Sequence, residues 1–146
     1  MAYLFEGDWD LVPELSHDDD GTPPRSGHYL IRADGDALSF RIDWTDGTGK
    51  AHSVAFEGKA DGKVRPAGPD GMDASFHVVG EAELISRAYQ AGQEVSYAHR
   101  RASPDGTLLS ILQFHNHPDG SRSLRSQVFR RRGAEGRGVV GSVGRT

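Results

Sequence analysis

The chain has 146 residues, no cysteine and a formal net charge of −4, with 19 glycines and 36% hydrophobic residues. This length suits one domain with its own core, and the many glycines favour turns over long helices. The negative charge argues against nucleic acid as a partner, and the missing cysteines exclude disulfides and thiol chemistry. We find no signal peptide and no apolar run of about 18 residues that could span a membrane, so we expect a soluble cytoplasmic protein.

The clearest predicted elements are the two strands of a central hairpin. Ala37–Trp44 and Ala51–Glu57 alternate apolar and polar side chains, and the Thr45–Gly49 turn lies between them. This period of two is typical of strands with one buried face. The side chains predicted to point inward from this hairpin are Leu38, Phe40, Ile42, Trp44, His52, Val54 and Phe56.

Turn signals recur along the rest of the chain roughly every 8 to 14 residues, the spacing of an all-β sandwich or barrel. Pro13–Gly27 is predicted to be a loop, with a short helical turn at Pro13–Ser16. No segment has the helical period of a crossover helix, so we expect an antiparallel sheet. The other predicted strands are Leu4–Leu11, His28–Ala33, Val64–Pro66, Ala74–Val79, Glu83–Gln90, Gln93–Ala102, Leu108–His117 and Ser121–Arg131.

Strands in consecutive hairpins leave two unpaired edges unless the first strand meets the last. Closure removes those edges, which favours a barrel. We therefore predict an all-β fold, an antiparallel up-and-down meander barrel of about 8–10 strands, over residues 1–132. A flattened two-sheet sandwich is the alternative. Residues 133–146 are predicted to form a glycine-rich C-terminal tail outside the core.

The first strand and the order of turns resemble those of a known family. Gly7-Asp8-Trp9 matches the Gly-x-Trp opening of lipocalin-like proteins of the calycin group, and Val128-Phe129-Arg130-Arg131 matches their closing strand. The pattern covers Phe5–Arg131 and is similar to small bacterial lipocalin-like domains. The resemblance implies that Trp9 plugs the closed end of the barrel and that Arg130 or Arg131 packs over it. The Thr-Asp-Tyr motif, the paired cysteines and the export signal of secreted lipocalins are missing, so the resemblance concerns the fold more than extracellular transport.

Polar side chains on faces that otherwise alternate apolar predict a cavity with one polar wall. Tyr97, His99 and Arg101 share one face of their strand, and Gln113 and His115 share a face of the next. Burying such groups is unfavourable unless they pair with one another, with water or with a ligand. A self-satisfied network, or the opposite face on one strand, is the alternative. The predicted ligand-binding residues are Phe40, Ile42, Trp44, His52, Val54, Phe56, Tyr97, His99, Arg101, Ile111, Gln113 and His115.

The charge of Arg101 predicts the chemistry of the ligand. No carboxylate shares its proposed face, so an anionic or carbonyl-bearing ligand would supply the counter-charge. We therefore predict a barrel that binds a small hydrophobic carboxylate or carbonyl compound, without a cofactor. One alternative is a cyclase, isomerase or hydrolase with His99 or His52 as general base and Tyr97 or Arg101 stabilising negative charge. The other is a filled barrel that acts as a protein-interaction module.

Two further patterns concern a metal site and the outer surface of the predicted barrel. His115-Asn116-His117 places two imidazoles on one strand face, but no third ligand has a fixed position, so we predict no metal site. Leu108, Leu112 and Phe114 lie on the opposite face of that strand and predict a cover for it. The C-terminal tail could supply that cover, but its few apolar groups favour a homodimer.

Overall fold

The computed structural model describes residues 3–67 and 71–133, and these residues confirm the predicted all-β, antiparallel up-and-down fold. A short 3-10 helix at Pro13–Leu15 occupies the predicted helical turn. Within these residues no helix is long and apolar enough to cross a membrane. Beyond Gly133, the predicted tail lies outside the described residues.

The strands are β1 (Gly7–Leu11), β2 (His17–Asp18), β3 (Ser26–Asp34), β4 (Ala37–Thr45), β5 (Ala51–Lys59), β6 (Arg65–Pro66), β7 (Met72–Val79), β8 (Glu83–Gln90), β9 (Gln93–Ala102), β10 (Leu108–Asn116) and β11 (Arg122–Arg131).

One continuous sheet curls on itself in the order β5-β4-β3-β1-β11-β10-β9-β8-β7-β6. β1 pairs with β11 antiparallel, so the first strand meets the last as predicted. β2 pairs with β11 beyond the end of β1 and extends that contact. The two ends of the order are β5 and β6, and the described residues form no ladder between β5 and β6 or β7. The barrel is therefore closed at β1 and β11 and split between β5 and β7.

Side-chain packing covers one end of this split. The backbone N–H of Gly62, in the turn after β5, donates to the carbonyl of Phe76 on β7 at 2.9 Å. The ring of Phe76 stacks on Phe40, with 5.4 Å between ring centroids, and lies directly over Gly58 of β5. A Cβ atom at position 58 would overlap that ring, so glycine lets β5 approach β7 here.

The hairpin side chains predicted to face inward do so. Leu38 and Phe40 are buried, and Ile42 and Trp44 continue the same face of β4 toward the other end of the barrel. The fully buried side chains cluster at the Leu38 end, where the core closes the barrel. They are Phe5, Trp9, Ile31, Leu84 and Leu109, each with 0% exposure. Packing becomes looser toward Trp44, where the barrel is open.

Trp9 closes the packed end, as the family resemblance implied. Its indole Nε1 donates to the carbonyl of Phe5 at 3.0 Å. The guanidinium carbon of Arg131 lies 4.2 Å from the centroid of the indole ring, a cation–π contact. Arg131, rather than Arg130, is therefore the basic residue that packs over the plug. Its guanidinium also donates to the carbonyls of Leu4, Glu6 and Gly106 at 2.7, 2.8 and 2.6 Å.

Gly7 of the Gly-x-Trp motif is explained by the same contact. Its φ of 135° lies in the range that residues with a Cβ atom rarely adopt. A Cβ atom at this position would also overlap the Nη1 atom of Arg131. Glycine is therefore required both by the backbone conformation and by the arginine that covers Trp9.

We predict that Trp9→Ala lowers the free energy of unfolding by about 3–5 kcal/mol, because it removes a large buried side chain and leaves a cavity under Arg131. Trp44→Ala is the matched control. Trp44 lies at the open end and is only partly buried, so we expect a smaller loss. Urea denaturation of both variants measures the difference. A loss within about 0.5 kcal/mol for Trp9→Ala, as at surface positions, would contradict the plug assignment.

Candidate ligand-binding site

A cavity of about 320 Å³ lies in the open half of the barrel. This volume is at the lower end of the usual range for small-molecule pockets, about 300–1,000 Å³. Apolar side chains come mainly from β3, β4 and β5, whereas β9, β10 and β11 supply most of the polar ones. The apolar lining is Leu11, Pro24, Gly27, Tyr29, Ile42, Trp44, Val54, Phe56, Ile111 and Phe129, and the polar lining is Asp18, Thr22, Asp46, Arg100, Gln113, Arg125 and Gln127.

Half of the predicted binding residues line this cavity. Their faces follow from the regular alternation of β4, β5 and β10, whose buried positions the apolar pattern marks clearly. The interior is therefore open in this half of the barrel rather than filled by side chains. The predicted residues that line the cavity are Ile42, Trp44, Val54, Phe56, Ile111 and Gln113.

Phe40 and His52 have the predicted orientation but support the lining instead of forming it. Phe40 is 3% exposed and stacks on Phe56 with 4.6 Å between ring centroids. His52 stacks on Trp44 at 5.0 Å, and its Nε2 atom lies 2.8 Å from Oδ2 of Asp46. Both residues hold cavity side chains in place.

His115 also faces inward, two residues beyond Gln113 toward the open end. In the two ladders of β10 its backbone lies opposite Ser96 of β9 and Ser123 of β11. Burial lowers the pKa of His115, and the positive charge of Arg125 lowers it further. These effects favour a neutral imidazole. Among the described residues, no three His, Asp or Glu side chains are grouped so that they could hold a metal ion.

The predicted face of β9 is wrong. Tyr97, His99 and Arg101 lie on the outer surface of the barrel, where Arg101 is exposed. The guanidinium of Arg87 packs over the ring of Tyr97 at 5.1 Å. His99 pairs through Nε2 with Oε2 of Glu83 at 2.9 Å. These three side chains therefore have partners outside the cavity.

The predicted inner face of β9 differs from the observed one by a shift of one residue along the strand. Both faces of β9 carry polar groups, so the alternation of side chains does not identify the inner one. In the structure Ala102 pairs with Leu109, and Arg100 pairs with Ile111. Arg100 therefore shares the inner face with Ile111, which was predicted to face inward. A shift of one residue exchanges every side chain between the two faces.

Arg100 lines the cavity and is absent from the residues predicted from the sequence. Its side chain is on the inner face of β9, and the residue is only 6% exposed. Its Nε atom donates to the hydroxyl of Tyr29 at 3.1 Å, and Nη1 donates to Oγ of Ser86 at 2.8 Å. Its guanidinium carbon lies 5.8 and 5.3 Å from the ring centroids of Tyr29 and Phe40. All of these neighbours are uncharged.

Residues 17–25, here named the mouth segment, border the open end of the cavity. The side chain of Asp18 accepts from Nε of Arg125 on β11 at 3.2 Å. The N–H of Asp19 donates to the carbonyl of Leu124 at 2.9 Å, and the N–H of Leu124 donates to Oδ2 of Asp19 at 2.8 Å. On the other side, the N–H of Arg25 donates to the carbonyl of Thr45 at 2.9 Å. The mouth segment is thus held to β11 and to the end of β4.

Asp46 shapes the turn beside the mouth. One of its carboxylate oxygens accepts from the N–H of Thr48 and of Lys50 at 2.9 and 3.0 Å, and the other accepts from His52. These hydrogen bonds, above all the one from His52, hold the pKa of Asp46 well below its usual range. The carboxylate therefore stays ionised at the edge of the cavity.

No family model matches the sequence, and no curated protein matches it. Several solved structures are similar to this chain. The crystal structure of zebrafish ileal bile acid-binding protein complexed with cholic acid is 11% identical with a TM-score of 0.50, and the match covers 88% of this chain and 98% of that chain. The siderocalin Ex-FABP is 12% identical with a TM-score of 0.38, over 88% of this chain and 74% of that chain. The first of these two matches shows that the chain shares the barrel fold of the bile acid-binding protein.

We predict that Asp46→Asn destabilises the protein near neutral pH and that the difference from the native chain shrinks in acid. The pKa of Asp46 is lower in the folded state than in the unfolded state, so its stabilisation is complete above the ordinary aspartate pKa of about 3.9 and is lost as the pH falls below it. Denaturant titrations across this range measure the effect. Glu14→Gln, at an exposed position, is the control. An Asp46→Asn difference that stays constant down to strong acid would contradict the assignment.

Proposed function

We propose that this protein binds one small amphiphilic molecule inside the barrel, with an anionic or carbonyl group at Arg100. The apolar part of the ligand lies against Tyr29, Trp44 and Phe56. The observation that carries this proposal is a buried guanidinium whose hydrogen bonds and ring contacts, within the part of the chain that the structure describes, are all with uncharged side chains.

A guanidinium is a cation, and a buried charge without a counter-charge is strongly unfavourable. The hydroxyls of Tyr29 and Ser86 accept two of its five N–H groups without neutralising it. The carboxylates that border the cavity are already engaged, Asp18 with Arg125 and Asp46 with His52. A ligand carboxylate at Arg100 would supply the missing charge and accept charge-assisted hydrogen bonds.

The two walls favour an amphiphile over a purely apolar compound. The aromatic side of the cavity offers flat apolar surface. The opposite side offers Gln113 and Gln127, whose amides bind hydroxyl or carbonyl groups. A protein of the same fold is complexed with cholic acid, so the fold can hold a small amphiphilic acid.

We do not propose the enzymatic alternative. Its predicted catalytic set included His99, Tyr97 and Arg101, which lie on the outer surface, away from the cavity. The remaining candidate base, His52, is engaged with Asp46 and stacked on Trp44. A binding role is therefore better supported than proton transfer by these residues.

We predict that Arg100→Gln weakens the binding of a hydrophobic carboxylate by about tenfold or more, since a hydrogen bond to a charged group contributes about 1.5–3 kcal/mol. Undecanoic acid is a suitable probe, measured by calorimetry and thermal shift. Arg101→Gln is the matched control, because it removes the same charge one residue away on the outer face.

Three results would contradict this assignment. One is no binding of undecanoic acid or of related carbonyl compounds by the native chain. Another is equal affinity in Arg100→Gln, with the fold confirmed by circular dichroism. The third is an equal loss in both variants, which would indicate a nonspecific effect of charge.

A homodimer and a cytoplasmic location stay predictions. Leu108 and Leu112 are 39% and 37% exposed on the outer face of β10. Tyr97 and Phe114 lie beside them, with ring centroids 6.3 Å apart. A second copy would cover this face and remove apolar surface from water.

We predict that the native chain is a dimer and that replacing Leu112 and Phe114 together with serine yields monomers. The reason is that both substitutions remove apolar surface from the proposed interface. Light scattering measures the mass of each. Arg101→Gln, a change of charge on the same face, should stay dimeric. A monomeric native chain would rule out this interface.

A further inference from the structure

A second cavity, of about 390 Å³, adjoins the first one at Arg100. The two share Val54, Phe56, Arg100 and Gln113 in their linings. The second cavity extends from this junction toward β7 and β8. Small inner side chains, such as Ala88, leave space there.

This second cavity passes through the wall of the barrel. Phe56 of β5 points inward, whereas its neighbours Ala55 and Glu57 point outward, and all three line the cavity. On β7, Asp73 points outward and Ala74 inward, and both also line it. A space that contacts both faces of a strand must run past the edge of the sheet. The edge in question is the split between β5 and β7, where no ladder forms within the described residues.

We propose that this passage takes the far end of the bound ligand, so that the protein accepts carboxylates whose apolar chain carries a bulky polar group left outside. The inference rests on the proposed function, because it starts from a carboxylate held at Arg100. A compact ligand lies against Trp44 in the first cavity, whereas the longer chain of such a carboxylate turns away from Trp44 at Phe56, runs past Phe76 and leaves between β5 and β7.

Two observations favour this exit over the mouth. The mouth segment is hydrogen-bonded to β11 on one side and to β4 on the other, whereas residues 3–67 and 71–133 form no backbone ladder across the split. Val54 belongs to the inner face, yet it is 45% exposed beside the passage. Apolar surface that is open to water at a cavity wall gains from contact with a ligand chain.

Charged residues surround the outer opening of the passage, here called its rim. Glu57 and Asp73 contribute carboxylates to this rim. Arg87 also reaches it, but its Nε atom pairs with Oε1 of Glu94 at 3.2 Å. Lys59, Lys63 and Arg65 line an adjoining pocket that shares Glu57 and Phe76 with the passage. Charges of both signs therefore border the opening, and an uncharged polar group suits it best.

Single-cysteine variants test the proposal, because the chain has no cysteine and only the introduced thiol can be alkylated. Ala55→Cys reports on the passage and Thr22→Cys reports on the mouth, and both positions are exposed. The probe is dansylamino-undecanoic acid, with an uncharged bulky group at the end opposite the carboxylate. Undecanoic acid is the untagged control. A water-soluble maleimide measures the alkylation rate with and without each compound.

At a probe concentration about ten times its Kd, the alkylation rate of Ala55→Cys should fall about tenfold, in line with occupancy. The rate of Thr22→Cys should change by less than about twofold at the same occupancy. Undecanoic acid should protect Ala55→Cys less than the tagged probe does. Protection of Thr22→Cys alone, or of neither thiol while dansyl fluorescence reports binding, would overturn the passage.

The test separates this inference from the proposed function. If undecanoic acid binds in an Arg100-dependent way and the tagged probe does not bind, only the passage is wrong. If neither compound binds, or if Arg100→Gln leaves both affinities unchanged, the proposed function fails and the passage fails with it.

Discussion

The contact of Arg131 with Trp9 is the interaction on which the rest of the barrel depends. It brings the last strand against the first one. The guanidinium of Arg131 donates hydrogen bonds to three carbonyls and packs over the indole ring of Trp9. These contacts hold the residues before β1, β1 itself and the turn before β10 together. Because this contact places the seam at β1 and β11, the free edges of the sheet fall at β5 and β6.

The packed end and the open half of the barrel differ in how the interior is filled. Near Trp9 the inner faces carry large apolar groups, and the interior is full. Farther along, small residues such as Ala98 replace them, and space remains. Arg100 adjoins this space. Burying its charge lowers stability, and under the proposed function the same charge binds the ligand, a compromise that is common at binding sites.

Much of the fold could be predicted because its signals are local. Glu83–Gln90 and Gln93–Ala102 match β8 and β9 at both ends, since the Ala91-Gly92 turn and the alternation of side chains are both encoded nearby. The meeting of the first and last strands followed from the need to remove sheet edges. The two-residue β2 could not be found, because its pairing depends on the distant residues Arg125 and Ser126.

The site was predictable only in part. The inner faces of β4, β5 and β10 carry an unambiguous apolar pattern, so Ile42, Val54 and Ile111 were placed correctly. β9 carries polar groups on both faces, and the choice between Arg100 and Arg101 depended on register across a connection. The split between β5 and β7 is a property of the whole sheet, which no local pattern encodes.

The order of the strands also has a consequence for folding. Apart from the contacts of β11 with β1 and β2, each ladder joins strands that are consecutive or nearly so in the chain. Such pairs close short loops, whereas joining β1 to β11 closes a loop of about 120 residues at an entropic cost of about 4 kcal/mol. The meander can therefore assemble hairpin by hairpin, and the step that brings Arg131 over Trp9 comes late. The rate-limiting barrier is then sensitive to changes at this seam rather than to changes around the ligand cavity.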